Sequence, residues 1–489
     1  MSDHLNEACG LFGAYDFRDR KVISEIYWGM ISQNHRGHQS YGFLTFDDFF
    51  ESIKGMGLVP VFDGQSENHF EDLSGSVGIG HVRYVTSGNR ENLSRDAQPY
   101  IEEHDGKKIA IGYNGNLVNN DRLRKDLKKK FGALNTTSDT ELLCKKILEG
   151  FENGDLRDAV EFCMGGVEGS FSVVGVDQHG RLFAFRDPLG IKPLCFGCDE
   201  DEQFYVVSSE SVGLSINGLE YRGEVRPGEL FIFSEDGDDR ERIVRSDSEA
   251  FCSFEYDYFA RPDAVFNDKP VYKVREEFGK NLGRENPDIT EKADLIVSIP
   301  QTADDAAYGL HIETGLPWER AVRKHRYVTS RAFISSSEKR NEIIDKKINV
   351  DWGRIRGKNV AIAEDSIVRG TTSRRVVKKM KKAGVKDIHL YVTFPRIVSP
   401  CFYGIDMTTY DELIGSNHTP EEIADEIGVN SVNYQSLENF VEATGCDRGD
   451  LCLGCATENY PTPLAQEMAE KFKAKYESGE NVSARIYER

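Results

Sequence analysis

The chain has 489 residues, 39% hydrophobic and 29% charged, with a formal net charge of −21; this is an ordinary globular composition with room for about two to four domains. It contains no apolar run of about eighteen residues to cross a membrane, and Met1 to Ala8 is polar and acidic where a secretory signal would be apolar. The acidic balance excludes nucleic acid as a general partner, and ten cysteines without a signal point to thiols kept reduced in the cytoplasm for chemistry or metal.

In chain order, Cys9-Gly-Leu-Phe-Gly13 comes first, then His35-Arg-Gly-His-Gln-Ser40 and Gly80-His-Val-Arg-Tyr-Val-Thr-Ser-Gly88. Asn114-Gly-Asn-Leu117, Ser138-Asp-Thr-Glu141 and Arg186-Asp-Pro-Leu-Gly-Ile-Lys-Pro193 follow. Most are glycine- or asparagine-punctuated turns after short β-type runs such as Ser76 to Gly80, Ile109 to Tyr113 and Phe171 to Val176. Asp121 to Phe131 and Thr140 to Phe151 read as amphipathic helices, the second with Ser138 as N-cap and Glu141 three residues on. Helices among antiparallel-type strands predict a layered α+β domain.

Together these motifs resemble the class II glutamine amidotransferase domain, an amino-terminal-nucleophile (Ntn) glutaminase, from Cys9 to about residue 235. The resemblance implies that the Cys9 thiol attacks the glutamine side-chain amide with its own α-amine as base. That requires loss of Met1 to Ala8 as a propeptide. It further implies Arg83 on the substrate α-carboxylate, where a planar donor fork suits the charge, and Asp139 on the α-ammonium. The Asn114 side chain and Gly115 N–H would form the oxyanion hole, and Arg36, Gly37 and Thr86 would line the pocket. Val85 and Tyr113 stand where the family usually has serine and histidine.

Glu235 to Ser248 is acidic and turn-rich, a candidate boundary. Beyond it Arg275 to Glu285 reads as a helix; Ala293 to Pro300, Gly357 to Ala363 and Ile388 to Phe394 read as buried strands. Their alternation with helices predicts a parallel, doubly wound sheet. The strand before Glu364 and Asp365 leads into Gly370, three hydroxyls at Thr371, Thr372 and Ser373, and a helix from Arg374 to Ala383. A glycine turn at a helix start suits a phosphate, and paired carboxylates suit two neighbouring sugar hydroxyls, so a sugar phosphate satisfies the whole turn.

This stretch resembles the phosphoribosyl-diphosphate (PRPP) signature of type I phosphoribosyltransferases, and Asp365 to Ser373 with Phe251 to Asp263 resembles glutamine amidophosphoribosyltransferases. The family's Asp-Asp pair is Glu364-Asp365 here. The resemblance implies PRPP contacts from Thr302, Arg331, Lys347, Glu364, Asp365, Ser366, Arg369, Gly370, Thr371, Thr372 and Ser373, with Mg²⁺ at Thr302, Glu364 and Asp365. Arg326 to Asn349 resembles the loop that closes over PRPP and excludes water, with Arg331, Arg340 and Lys347 toward the diphosphate; Thr329-Ser330 replaces a single glycine there. The turn Pro300-Gln-Thr-Ala-Asp-Asp-Ala306 departs from the family pattern. Ala303 replaces a glycine, a conformational penalty if φ there is positive, and Asp304 and Asp305 bring negative charge toward an anion site.

Of two CxxC pairs, Cys195/Cys198 lies in a strand-like stretch where residues three apart face opposite ways. Cys252, Cys401, Cys452 and Cys455 match the iron–sulfur-containing branch of the family, which implies a [4Fe–4S] cluster, with zinc as the rival metal. Cys144, Cys163, Cys195, Cys198 and Cys446 read as core or surface thiols.

The expected architecture is a propeptide (1–8), an α+β Ntn glutaminase domain (9–240) and an α/β type I phosphoribosyltransferase domain with a cysteine-bearing helical tail (250–489). The reaction implied is PRPP, glutamine and water giving 5-phosphoribosylamine, glutamate and diphosphate, the first step of de novo purine synthesis. Glutamine and PRPP are the expected partners, with room for feedback nucleotides, no membrane, and a homo-oligomer, dimer or tetramer. The alternatives are a glutaminase serving another ammonia acceptor, a regulatory paralogue that binds nucleotide without turnover, and a non-catalytic iron–sulfur protein.

Overall fold

In the first half of the chain, strands with apolar residues on both faces must be covered on both sides. A computed structural model of the protein describes residues 9–61, 69–84, 94–325 and 348–480. Two antiparallel sheets stack there. One has the order β11 (Glu220–Glu224), β9 (Cys195–Cys198), β10 (Phe204–Ser208), β1 (Gly10–Asp16), β4 (Val77–Arg83), β2 (Ser40–Asp47), β3 (Phe49–Met56). The other runs β13 (Gly237–Arg242), β12 (Glu229–Ser234), β8 (Leu182–Arg186), β7 (Gly169–Asp177), β6 (Lys107–Leu117), β5 (Tyr100–His104).

Alternation sorts each strand between two cores. Leu11 and Tyr15 of β1 join Val174 and Val176 of β7 and Phe231 and Phe233 of β12 between the sheets. Phe12 and Ala14 face Ile26 and Met30 of α1 (Ile23–Ser32) on the outer side. Ile109 and Ile111 of β6 and Phe171 of β7 meet α3 (Asp139–Gly150) and α4 (Leu156–Gly166), with α2 (Asn120–Phe131) beside them. The result is a four-layer helix–sheet–sheet–helix stack.

Two local expectations change. Ser138 caps α3 by accepting from Thr140 N, but Glu141 closes no capping box: it binds the main chain of Asn135 and Thr136 instead, the Asn135 contact at 2.8 Å. The stretch from Glu235 is not merely a turn, because β13 pairs with β12 from Glu229↔Arg242 to Ser234↔Gly237.

The second half is built on a parallel sheet, β17 (Leu295–Ser298), β20 (Asn359–Glu364), β21 (Asp387–Val392), β22 (Ser431–Tyr434). Val360 and Ile362 face one core with Val376, Val377 and Met380 of the helix Thr371–Lys382. Ala361 and Ala363 face the other, with Leu282, Ala307 and Leu310. Helices therefore cover both faces, as continuous apolar strands require. Two short hairpins, β15 (Val265–Phe266) with β16 (Lys269–Pro270) and β18 (Val322–Lys324) with β19 (Ile348–Val350), flank this sheet.

A third apolar core joins the halves. It includes Val118, Ile191 and Val212 from the first half and Phe254, Phe259, Phe394 and Phe402 from the second. Within it β14 (Phe251–Cys252) pairs in parallel with β23 (Leu451–Cys452). Among the described residues no helix is long and apolar enough to cross a membrane.

Candidate active sites

Cys9 immediately precedes β1 and is buried against the end of β4: its thiol donates to Tyr84 O at 3.4 Å, and Tyr84 N approaches the sulfur at 3.5 Å. Burial pushes the thiol up, opposed by the Tyr84 main chain and the charges of Arg83, Arg36 and Lys192. A thiol held neutral needs a base before it can attack. Arg83 ends β4 and meets Asp96 at 3.5 Å.

Asp139 opens α3 and is fully buried; it accepts from Leu117 N at 3.0 Å and from the Asn120 amide. Burial raises its carboxyl to about 6, while the charges of Arg124 and Arg83 pull it down. Asn114 to Leu117, expected as a turn, is instead the end of β6, paired with β7 from Asn114↔Ser172 to Leu117↔Gly169; burial, and then the charges of Asp139 and Cys9, raise the Tyr113 hydroxyl. The Asn114 side-chain nitrogen is buried with no hydrogen-bond partner. Gly115 has φ 156°, and a Cβ there would lie 1.9 Å from Ser170 O, so only glycine fits. Gly37 serves a close approach: a Cβ would meet Val82 C at 2.4 Å. Thr86 lies outside the described residues.

Arg36 has no free donor face toward a pocket. Its Nε donates to Cys9 O at 3.1 Å, and its two terminal nitrogens each reach Glu255 at 2.9 Å, with Glu210 also on Nη1. Lys192, which lies in the Arg186–Pro193 motif but was given no role by it, is buried; its side-chain nitrogen has no hydrogen-bond partner and stands 5.6 Å over the Phe259 ring.

The second candidate site lies where β20 ends. Glu364 is buried and accepts from Ser373 Oγ at 2.8 Å. Its carboxyl is pushed up to about 8 by burial and by Asp365. Asp365, also raised by burial, accepts from the Thr302 hydroxyl and from Ser366 Oγ at 3.0 Å. Gly370 is the N-cap residue at φ 68°, so the helix begins at Thr371 rather than Arg374, and Thr371, Thr372 and Ser373 form its first turn. Arg369 pairs with Glu412 at 3.0 Å. Arg331, Arg340 and Lys347 fall outside the described residues.

Ala303 has φ −85°, an ordinary conformation that carries no glycine-type penalty. Asp304 and Asp305 begin the helix Asp304–Thr314, where acidic residues suit the dipole, and Asp304 accepts from Ser298 Oγ at 2.5 Å. Glycine at position 303 would therefore relieve no backbone strain.

Behind Asp365 lies a buried carboxyl that sequence reasoning missed. Thr393 Oγ1 is 2.7 Å from Asp257 Oδ1 and 3.1 Å from Asp365 O. The Thr393 hydroxyl is shared between these two acceptors. Burial, and then the charge of Asp365, push the Asp257 carboxyl well above the usual carboxylate range.

Cys252 and Cys452 are directly paired across β14 and β23; burial, and then the neighbouring Cys252 and Cys401, push the Cys452 thiol up, and burial with Cys401, Cys452 and Cys252 does the same to Cys455. Among the described residues no three His, Cys, Asp or Glu close around one metal ion. The loop carrying Cys401 rests on the Asn114 strand: Asn116 Nδ2 donates to Phe402 O at 2.9 Å and Ser170 Oγ to Tyr403 O at 2.9 Å. Cys195 and Cys198 belong to different cores on opposite faces of β9.

A sequence profile described as a glutamine amidotransferase domain matches residues 82–215. The amidophosphoribosyltransferase of Archaeoglobus fulgidus is 39% identical over 468 residues, 94% of this chain and 100% of that one. That of Bacillus subtilis is 34% identical over 469 residues, 95% and 96% of the two chains. The chain belongs to the amidophosphoribosyltransferase family. The solved structure of B. subtilis glutamine PRPP amidotransferase complexed with ADP and GMP is similar with a TM-score of 0.84 at 33% identity, over 93% of this chain and 98% of that one. As an amidophosphoribosyltransferase, the chain is a pentosyl-transferring glutamine amidotransferase of the first step of purine biosynthesis. Its fold is an Ntn glutaminase layer domain followed by a phosphoribosyltransferase domain with a parallel sheet.

Proposed function

We propose that glutamine is cleaved at Cys9 and that the ammonia reaches C1 of PRPP at the turn after β20. Arg83 and Asp139 hold the amino-acid end of glutamine, and Cys9, freed of residues 1–8, attacks the amide with its α-amine as base. The tetrahedral oxyanion is met by the Asn114 side chain and Gly115 N–H. Arg36 and Gly37 shape the wall of this pocket, and Thr86 is assigned to the same pocket on the motif alone. The observation that carries this reading is the Asn114 amide, a buried donor with no protein partner next in chain to a residue that senses both Cys9 and Asp139. Loss of one oxyanion donor costs about 10²–10³ in kcat. Asn114→Ala should lower glutamine-dependent kcat by that factor and leave ammonia-dependent synthesis near wild type. Equal losses in the two assays would overturn the assignment.

In the second site Glu364 and Asp365 accept the ribose hydroxyls, while Gly370 to Ser373 hold the 5-phosphate. Thr302, Ser366 and Arg369 lie beside them, and Arg331 and Lys347 meet the diphosphate. Hard oxygen donors at Thr302, Glu364 and Asp365 suit Mg²⁺, which supplies charge neutralisation at the diphosphate when bound. The glutaminase unit spans about residues 9–240 and the phosphoribosyl unit 250–489; β13, which ends at Arg242, belongs with the first.

Cys252, Cys401, Cys452 and Cys455 are the proposed [4Fe–4S] ligands: Cys252, Cys401 and Cys455 are buried in one apolar core, Cys452 packs against it, and Cys252 and Cys452 are paired in register. Protein purified without oxygen should carry about four iron and four sulfide per chain, and Cys401→Ser should lose both. A colourless protein with one zinc would decide for the rival. The B. subtilis relative was solved with ADP and GMP, and purine nucleotides are accordingly proposed as feedback ligands. A cytoplasmic homo-oligomer, dimer or tetramer, completes the reading.

A further inference from the structure

We propose that Glu255, from the phosphoribosyl half, is a positioning residue for Cys9 and acts through Arg36. The inference rests on Cys9 being the glutaminase nucleophile.

The Cys9 carbonyl receives its hydrogen bond from Arg36 Nε at 3.1 Å. Fixing that carbonyl fixes the Cys9 backbone, and with it the direction of the thiol and the position of the α-amine. A guanidinium is planar, so its orientation is set by what grips its other nitrogens. Glu255 grips both, Oε2 on Nη1 and Oε1 on Nη2, each at 2.9 Å. Glu210 shares Nη1, and the Arg36, Glu210 and Glu255 side chains are all 0% exposed.

Glu255 is itself held rigidly. It opens the turn Glu255–Phe259, closed by Ala260 N on Glu255 O at 3.1 Å. Arg275 clamps the same turn from outside, donating to Tyr256 O at 2.8 Å and Ala260 O at 2.9 Å. A pair that only joined the halves would need nothing from Nε. Here the third edge of the guanidinium falls on the nucleophile's own carbonyl, so the seat of Cys9 is completed by a residue 219 positions from Arg36.

The test uses mature full-length enzyme with Glu255→Ala, Glu255→Gln, Arg36→Ala and the Arg36→Ala/Glu255→Ala double variant, each first checked for an unchanged circular dichroism spectrum. Small displacements of a reacting group cost up to about a hundredfold. Glu255→Ala should lower kcat for glutamine roughly ten- to a hundredfold, with KM for glutamine and the ammonia-dependent rate little changed. Glu255→Gln, which keeps one acceptor oxygen, should recover part of the loss. The double variant should lose no more than Arg36→Ala alone, because residues that act as one unit are not additive. Additive losses, or an ammonia-dependent rate that falls in step, would overturn the inference. Glutamine use surviving in Cys9→Ala would instead overturn the nucleophile reading beneath it.

Discussion

Replacing Cys9 by alanine should abolish glutamine-dependent phosphoribosylamine synthesis, by at least about 10⁴-fold, and leave the ammonia-dependent rate near wild type. The asymmetry follows from the separation of the two sites across the shared core that contains Phe254 and Phe394. Added ammonia enters after the step that needs the thiol. The side chain contributes only contacts to the Tyr84 main chain, so its loss leaves β1 and β4 paired. Burial holds the thiol above its ordinary range, and near neutral pH the nucleophile must give up its proton to a base as it attacks. An α-amine titrates at about 7.7–8.0, so glutamine-dependent kcat/KM should rise through that region while the ammonia reaction follows the supply of free ammonia. The mature protein should lack Met1 to Ala8 by intact mass. A fully glutamine-active enzyme that retains those residues would rule out the amine as base.

What the sequence made legible was local. Ile109 to Tyr113 read as a short β-type run, although the strand continues to Leu117 where a turn was expected, and the strand, carboxylate pair and glycine turn around Asp365 were visible in order within a few residues. The Cys195/Cys198 pair was separable for the same reason, since a strand sends residues three apart to opposite faces. What stayed hidden was long-range. The His35-Arg-Gly motif marked Arg36, but its partners Glu210 and Glu255 are 174 and 219 positions away, and nothing local announces them. Asp257 and Lys192 lie inside matched motifs, but no motif gave either a role; their burial belongs to the folded chain. The four cysteines were gathered by resemblance, and their proximity depends on β14 meeting β23, a pairing of two two-residue strands with no periodicity to read. Ala303 shows the opposite failure. The resemblance put a glycine where Ala303 stands, but φ is −85°, so alanine there carries no strain.

The turn at the end of β20 carries the other large effect. Asp365→Ala should depress both glutamine- and ammonia-dependent synthesis, because both reactions end at the same ribose. Each charge-assisted hydrogen bond is worth about 1.5–3 kcal/mol. Losing two of them, one to a ribose hydroxyl and one from Thr302, removes roughly 3–6 kcal/mol, or about 10²–10⁴-fold in kcat/KM for PRPP. Glu364 adds a pH signature. Its carboxyl is pushed up to about 8 by burial and by Asp365, so in the ligand-free enzyme it holds a proton at pH 7. Accepting a sugar hydroxyl favours the ionised form, and binding should therefore release a proton. Affinity for PRPP with Mg²⁺ should increase as pH rises toward 8 and then level off. The stability effect has the opposite sign. A carboxyl whose folded pKa lies above its ordinary 4.5 stabilises the ligand-free fold fully below that value, and the contribution is lost as pH rises through about 8. Ligand-free protein should accordingly melt lower at pH 9 than at pH 6, by a margin that shrinks in Glu364→Gln. Calorimetric titration in two buffers of different ionisation enthalpy counts the released proton directly. Buffer-independent heats at pH 7, with a flat affinity from pH 6 to 8, would remove Glu364 from the sugar seat.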